Sequence, residues 1–335
     1  MRQHTYLRPA DPAEAVAAAT ADPDASFLAG GTNVVDHLKL GISTPNLLID
    51  VRHLPLTTIE ETEEGLRVGA NVANSALAAD SAVRKRWPVV ARALLSGASG
   101  QIRNQATTAG NLLQRTRCVY FQDVTTPCNK RDPGSGCSAN GEAAYGRYNA
   151  VLGASDHCVT VHPSDLAVAL TACDAVVEVL GTQGSRRLQL EDLHRLPGQE
   201  PQHDTTLAHG ELITDVLLPA SATSARSTYV KVRDRASFAF ALVSVAAGID
   251  LDPGTGSVRD IRLAWGGVAH KPWRARAAEE ALRGSRLSEA AIRSAADAEL
   301  AEARPAPGAD YKLAMIRNAT VLALRRLVPE LEEDQ

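Results

Sequence analysis

Four of the five cysteines, Cys118, Cys128, Cys137 and Cys158, fall in one stretch, with nine, eight and twenty residues between successive members. Within it Pro127, Pro133, Gly134, Gly136, Gly141 and Gly146 follow one another too closely for a helix or a long strand. A structureless segment of this length inside a compact domain is uncommon unless it is functional or held by a ligand. Whatever this chain folds into must therefore accommodate a long irregular segment whose natural fastener is its own thiols. An odd cysteine count and this clustering argue against a disulfide framework and for a metal site. Four thiolates meet the ligand count of a [4Fe–4S] or [2Fe–2S] cluster or of a structural zinc. Zinc sites usually show closely paired cysteines, so the wide gaps fit an iron–sulfur cluster better, with four unligated thiols as the remaining alternative. His157 and His162 flank Cys158 and either can replace a thiolate, although four cysteines make that unnecessary. Cys173, in LTACDAVV, reads as a small buried hydrophobe.

At 335 residues the chain is long enough for two or three domains. Aromatic residues make up only 4%, so the core is expected to be built from Ala, Val and Leu. A net charge of -4 with no long Lys/Arg run provides no field for nucleic acid. The N-terminal stretch lacks a signal-peptide apolar core, because Asp11 and Glu14 interrupt it, and no apolar run reaches the ~18 residues of a membrane span. Locally, Asp11 and Pro12 open a helix, SFLAGGTNVVDHLKLG reads as strand, glycine turn and helix, and NLLIDV as a strand. LTTIEETEEGLRVGA reads as two strands around a turn, followed by helical SALAADSAVRKRW and PVVARALLSGA. The polar passage IRNQATTAGNLLQRTRC breaks helical periodicity and reads as a functional loop. SDLAVALTACDAVVEVLG is a capped helix leading into a strand, and ELITDVLLP is a further strand. Beyond residue 222 the pattern changes to alternating strands and then to helices.

Two small-residue loops carry the binding chemistry. Ala29-Gly30-Gly31-Thr32-Asn33 sits between strand and helix, where paired glycines let consecutive amides form a nest for phosphate oxygens beside a helix start. It is not G-x-G-x-x-G, so a Rossmann dinucleotide fold is not indicated. Thr107-Thr108-Ala109-Gly110-Asn111 offers backbone amides and hydroxyls about eighty residues later, and together the loops suggest a diphosphate held from two sides. In each case a purely structural turn is the alternative. Asp165, in HPSDLAVA, can accept from ribose or ribityl hydroxyls or simply cap a helix.

AGGTNVVDHLKLG, QIRNQATTAGNLLQ and HPSDLAVAL, in this order, resemble the flavoprotein subunit of the xanthine dehydrogenase and carbon monoxide dehydrogenase family across almost the whole chain. GNLLQRTRC, PCNKRDPGSGC and VLGASDHCVTVHPSDLAVA are similar to the FAD subunit of periplasmic aldehyde oxidoreductases. The resemblance implies an α+β chain: a vanillyl-alcohol-oxidase-type FAD domain over residues 1–221, then an α+β C-terminal domain with an antiparallel sheet and helices over 222–330. The first would comprise subdomains at about 1–56 and 57–221, with the iron–sulfur insertion at about 115–160. By the same resemblance Ala29 to Asn33 would bind the pyrophosphate, while Thr107, Thr108, Gly110 and Asn111 would contact FAD from the second loop. Asp165 would hold ribityl or ribose hydroxyls, Lys231 and Arg233 would approach the flavin, and Cys118, Cys128, Cys137 and Cys158 would ligate a [4Fe–4S] cluster.

The function so implied is electron transfer within a heterotrimeric molybdenum hydroxylase of the aldehyde or xanthine dehydrogenase type. No catalytic residue is expected on this chain. A large subunit would hold the molybdenum cofactor, a small subunit [2Fe–2S] clusters, and the flavin would pass electrons to oxygen, a quinone, a ferredoxin or NAD. The alternatives are a stand-alone FAD oxidoreductase and a zinc-braced, non-catalytic assembly subunit. The expected location is the cytoplasm, or the periplasm if a signal-bearing partner exports the complex.

Overall fold

The computed structural model describes residues 3–141 and 143–331. Three sheets organise them. The N-terminal sheet is parallel, with Leu47–Asp50 between Thr5–Leu7 and Ala25–Leu28. Its helix Pro12–Ala21 begins where the sequence places it: Asp11 accepts from the Glu14 amide at 2.8 Å, and Pro12 occupies the first turn, where no donor is needed. Ala15, Val16 and Ala19 bury its inner face with Ile49, Leu54 and Leu212.

The second sheet is antiparallel, in the order Ile59–Thr62, Gly65–Gly69, Leu212–Pro219, Val176–Gly181, Gly184–Gln189. Helices Asn74–Ala79, Pro88–Ser96 and Asp165–Ala172 contribute to its core together with Trp87, whose indole N–H donates to the Pro219 carbonyl at 3.0 Å. The third sheet, also antiparallel, runs Trp273–Arg274, Val258–Gly266, Val243–Leu251, Ser227–Val232. Helices Arg276–Leu282, Glu289–Glu299 and Tyr311–Leu327 share its core. Every residue of Leu166 through Ala172 is buried, because this helix lies between the second core and strands Val243–Leu251 and Val258–Gly266. The α+β architecture and the antiparallel C-terminal sheet are as expected. So is the small-residue core, although Trp87, Trp265 and Phe121 are also fully enclosed.

One local expectation fails. The passage read as a loop contains two short helices, Gly100–Gln105 and Thr108–Leu112. Ser99 caps the Ile102 amide and Thr107 the Gly110 amide, so side-chain oxygens supply what the weak apolar periodicity does not. The cysteine-bearing stretch is irregular as expected, with one turn of helix at Val119–Gln122 and a 3₁₀ turn at Ser138–Asn140. Side-chain bonds hold it: the Gly136 amide donates to Asn129 Oδ1 at 2.8 Å, and Arg131 donates to the Tyr120 and Phe121 carbonyls, both at 2.8 Å. Gly146 lies so close to the C-terminal region that a Cβ there would sit 1.6 Å from the Pro307 carbonyl oxygen. Nearby, the Arg304 amide donates to Val151 O and the Ala306 amide to Ala150 O.

Candidate functional site

The two small-residue loops come together. A Cβ on Gly30 would lie 1.9 Å from the Gln105 carbonyl oxygen, so only glycine lets the first loop seat against the helix before the second. Gly31 adopts φ +76°, a left-handed conformation open to glycine at little cost. In front of the loops lies a cavity of about 630 Å³, within the ~300–1,000 Å³ usual for small-molecule and cofactor sites. Thr32 and Asn33 line it from the first loop, Gly110 and Asn111 from the second, and Asp165 and Lys231 from the far side.

Not every expected residue faces this space. Ala29, Gly30, Gly31, Thr107 and Thr108 belong to the loops without being among the lining residues. Thr107 caps its helix, and the Thr108 hydroxyl donates to Val72 O at 3.0 Å. Arg233 is also off the wall, its guanidinium donating to Ser96 O at 2.7 Å. The Asp165 carboxylate accepts from the Tyr229 hydroxyl and from Lys231 Nζ, each at 2.7 Å. With side chains only 10% and 3% exposed, Asp165 and Lys231 form an enclosed pair. Carboxylate oxygens accept more than one bond each, so the pairing leaves lone pairs for a hydroxyl. The helix cap beside it is Ser164, whose Oγ accepts from the Ala167 amide and donates to Asn111 Oδ1 at 2.6 Å, tying this helix to the second loop.

Sequence reasoning weighed His162 only as a spare metal ligand, yet it lines the large cavity. Its Nε2 has no protein partner, its ring meets His194 edge-on at 4.3 Å, and burial holds it neutral by lowering its pKa well below the ordinary value. The HPSD motif was signal enough to find it. No motif announced the aromatic rim of Tyr145, Tyr148, Phe238 and Phe240, where Arg117 stacks 5.0 Å from the Phe240 ring centre.

A second, smaller cavity is lined by Cys118, Cys128, Cys137 and Cys158 together. Cys128 and Cys137 are cross-paired in an isolated antiparallel bridge, and Cys158 pairs likewise with Ser155. Burial pushes the Cys118 and Cys137 thiols up and that of Cys158 up to about 12. Against this, backbone amides point at the sulfurs: those of Phe121 and Tyr120 at Cys118, of Ala139, Val159 and Asn140 at Cys137, and of Thr160 at Cys158. Amide donors favour the thiolate form and tune a metal centre bound to it. Lys130 and His157 also line this space, and Thr116, Cys118 and Thr160 line both cavities. Among the described residues no three His, Cys, Asp or Glu side chains are grouped closely enough to hold one metal ion. Nor, among them, is any helix long and apolar enough to cross a membrane.

Known proteins share this arrangement. Residues 2–221 match the FAD binding domain in molybdopterin dehydrogenase, and residues 227–327 the CO dehydrogenase flavoprotein C-terminal domain. The chain is 50% identical over 330 residues to the aldehyde oxidoreductase FAD-binding subunit PaoB of Escherichia coli K12, covering 97% of this chain and 99% of that one. It is 27% identical to the nicotine 6-hydroxylase medium subunit of Paenarthrobacter nicotinovorans, over 88% and 84% of the two chains. A solved carbon monoxide dehydrogenase from Hydrogenophaga pseudoflava, lacking the Mo-pyranopterin moiety of its cofactor, superposes with TM-score 0.75 at 26% identity over 99% of both chains. With the family match spanning most of its length and a half-identical relative covering nearly all of it, this chain belongs to the FAD-binding subunits of the molybdopterin dehydrogenase family.

Proposed function

We propose that this chain is the FAD-binding electron-transfer subunit of a heterotrimeric, molybdenum-dependent aldehyde oxidoreductase. The observation that carries this reading is the 50% identity to an aldehyde oxidoreductase FAD-binding subunit, end to end. The cavity supports it, being bounded by both glycine-containing loops and by the Asp165–Lys231 pair. Bound there, FAD would accept electrons from one centre and release them to another. The chain's own residues bind and orient it. Amides of the Ala29–Asn33 turn would take the pyrophosphate, with Thr107, Thr108, Gly110 and Asn111 closing the opposite side. Asp165 would receive a hydroxyl while holding Lys231 at the wall, and Arg233 would act indirectly through the Ser96 carbonyl. The reading divides the chain into residues 1–221 and 222–330, with subdomains at about 1–56 and 57–221.

Partners in this reading are a molybdenum-cofactor large subunit and a [2Fe–2S] small subunit, with oxygen, a quinone, a ferredoxin or NAD as final acceptor. The working location is the cytoplasm, or the periplasm by co-export with a partner. The insertion at about 115–160 would carry a [4Fe–4S] cluster on Cys118, Cys128, Cys137 and Cys158, supported by their shared cavity and the amides aimed at the sulfurs. The test is the visible spectrum of anaerobically purified protein with FAD, iron, zinc and acid-labile sulfide counted per chain. About one FAD with about four irons and four sulfides is expected for this composition. Flavin with zinc, or without metal, would remove the cluster and keep the flavoprotein; folded protein unable to take up flavin would sink the whole reading.

A further inference from the structure

Beside the cysteine-lined cavity the buried charges do not balance. Lys130 has a side chain only 1% exposed and lines that cavity directly. Its Nζ donates to Asp204 Oδ1 at 2.5 Å and to the Pro201 carbonyl at 2.6 Å. The same carboxylate accepts from Arg115 Nε at 2.7 Å, so two cations share one anion. Burial alone would raise the Asp204 carboxyl, but Lys130 and Arg115 hold it well below the usual range, so it is ionised. The histidines that feel Asp204 add no charge, because burial lowers the pKa of His270, His194 and His37 to about 4 and that of His162 well below its ordinary value. One positive charge is left over. Arg115 is 28% exposed and shares the Asp204 carboxylate, which leaves the 1%-exposed Lys130 only partly neutralised and shut off from water. The structure would gain by placing something anionic within reach, and the neighbouring cavity is walled by four thiols.

We propose that Lys130, fixed by Asp204, is the built-in counter-ion of the group held by the four cysteines, and that it raises that group's reduction potential. The inference rests on the cluster reading above. A cluster carried by four thiolates gains negative charge on reduction, and an adjacent fixed cation favours the reduced form. Arg115 stands further out, at 28% exposure, and its backbone amide donates to Asn33 Oδ1 in the first glycine loop at 2.9 Å, so it serves the larger cavity as well. Lys130 is therefore the cation dedicated to the cysteines.

The test uses the intact holo-complex and reads iron, sulfide and FAD content, then the midpoint potential of the cluster by EPR-monitored redox titration with the flavin as internal reference. Lys130→Met should keep its FAD and shift the cluster potential to a more negative value, and Lys130→Arg should return it toward wild type. Full iron and an unshifted potential in Lys130→Met would overturn the proposal. Should Lys130→Met fail to retain iron, Asp204→Asn decides: removing the anion beside an intact lysine must move the potential positive, and an unmoved or more negative value refutes the counter-ion role. A wild-type complex whose iron and sulfide are fully accounted for by the partner's [2Fe–2S] clusters, with no [4Fe–4S] signal, defeats the cluster reading itself, and the inference with it, before any variant is made.

Discussion

The two cavities are neighbours built on opposite principles. The larger is framed by elements that satisfy their own backbones: Thr107 and Ser164 each cap a helix at its edge, and the Gly30 contact seats the first loop on the helix that precedes the second. The smaller is framed by a segment with two single-turn helices, held by isolated turns and by side-chain bonds such as those of Asn129 and Arg131, with two of its four cysteines buried and two half-buried. The first is a preformed receptor that a cofactor can enter after folding. On the cluster reading, the second leaves much of its own stabilisation to its ligand.

Four experiments sharpen or break that contrast. The largest effect belongs to Cys128→Ser, expected to abolish iron binding and open residues 115–160 to proteolysis while leaving FAD in place; simultaneous, equal loss of FAD would show that the cavities are one cooperative unit. Asp165→Asn removes the anion from an enclosed pair and should cost about 3–5 kcal/mol of unfolding free energy, as breaking buried ion pairs does. Denaturant titration of the purified subunit reads it, and a loss under 1 kcal/mol would mean that the wall is not rigid. Gly30→Ala forces a Cβ into the Gln105 carbonyl, with an overpacking cost of about 1–3 kcal/mol; weakened FAD affinity with unchanged iron is the expected signature. The fourth is a pH dependence, with little effect near pH 7 itself. Lys312 is fully buried, donates to the Asn149 and Gly267 carbonyls, and burial lowers its pKa to about 7. The unfolded lysine binds a proton up to about pH 10.5 and the folded one only to about pH 7, so between these values the unfolded state holds more protons. Stability should therefore rise with pH across that window, and Lys312→Met should flatten the slope; an unchanged slope would assign it to other groups.

How much of this was legible in the sequence follows the same divide. Asp11 with Pro12, the glycine pair at Gly30 and Gly31, the strand-rich change after residue 222 and the thiol cluster all act locally, and local chemistry is what a sequence displays. The helices at Gly100–Gln105 and Thr108–Leu112 were read as loop because their caps, Ser99 and Thr107, outweigh an apolar pattern too short to register. The strands Thr5–Leu7 and Gly184–Gln189 escaped notice because each is an edge strand defined by its partner. The sequence offers Asp165 as a hydroxyl acceptor or a helix cap, but its bonds to Tyr229 and Lys231 join residues more than sixty apart, which spacing alone does not reveal. Nothing in the sequence singles out Lys130, since a lysine in a loop is ordinarily solvent-exposed.

The approach of Gly146 to Pro307 also bears on the order of assembly. Residues 304–307 latch the cysteine segment through Val151, Ala150 and the crevice that only glycine leaves open. They emerge from the ribosome more than 140 residues after Cys158, and synthesis at ~5–20 residues per second makes that a delay of several seconds or more. Throughout that interval the cysteine segment lacks these latching contacts, so on the cluster reading metal delivery has a time window set by the chain's own length.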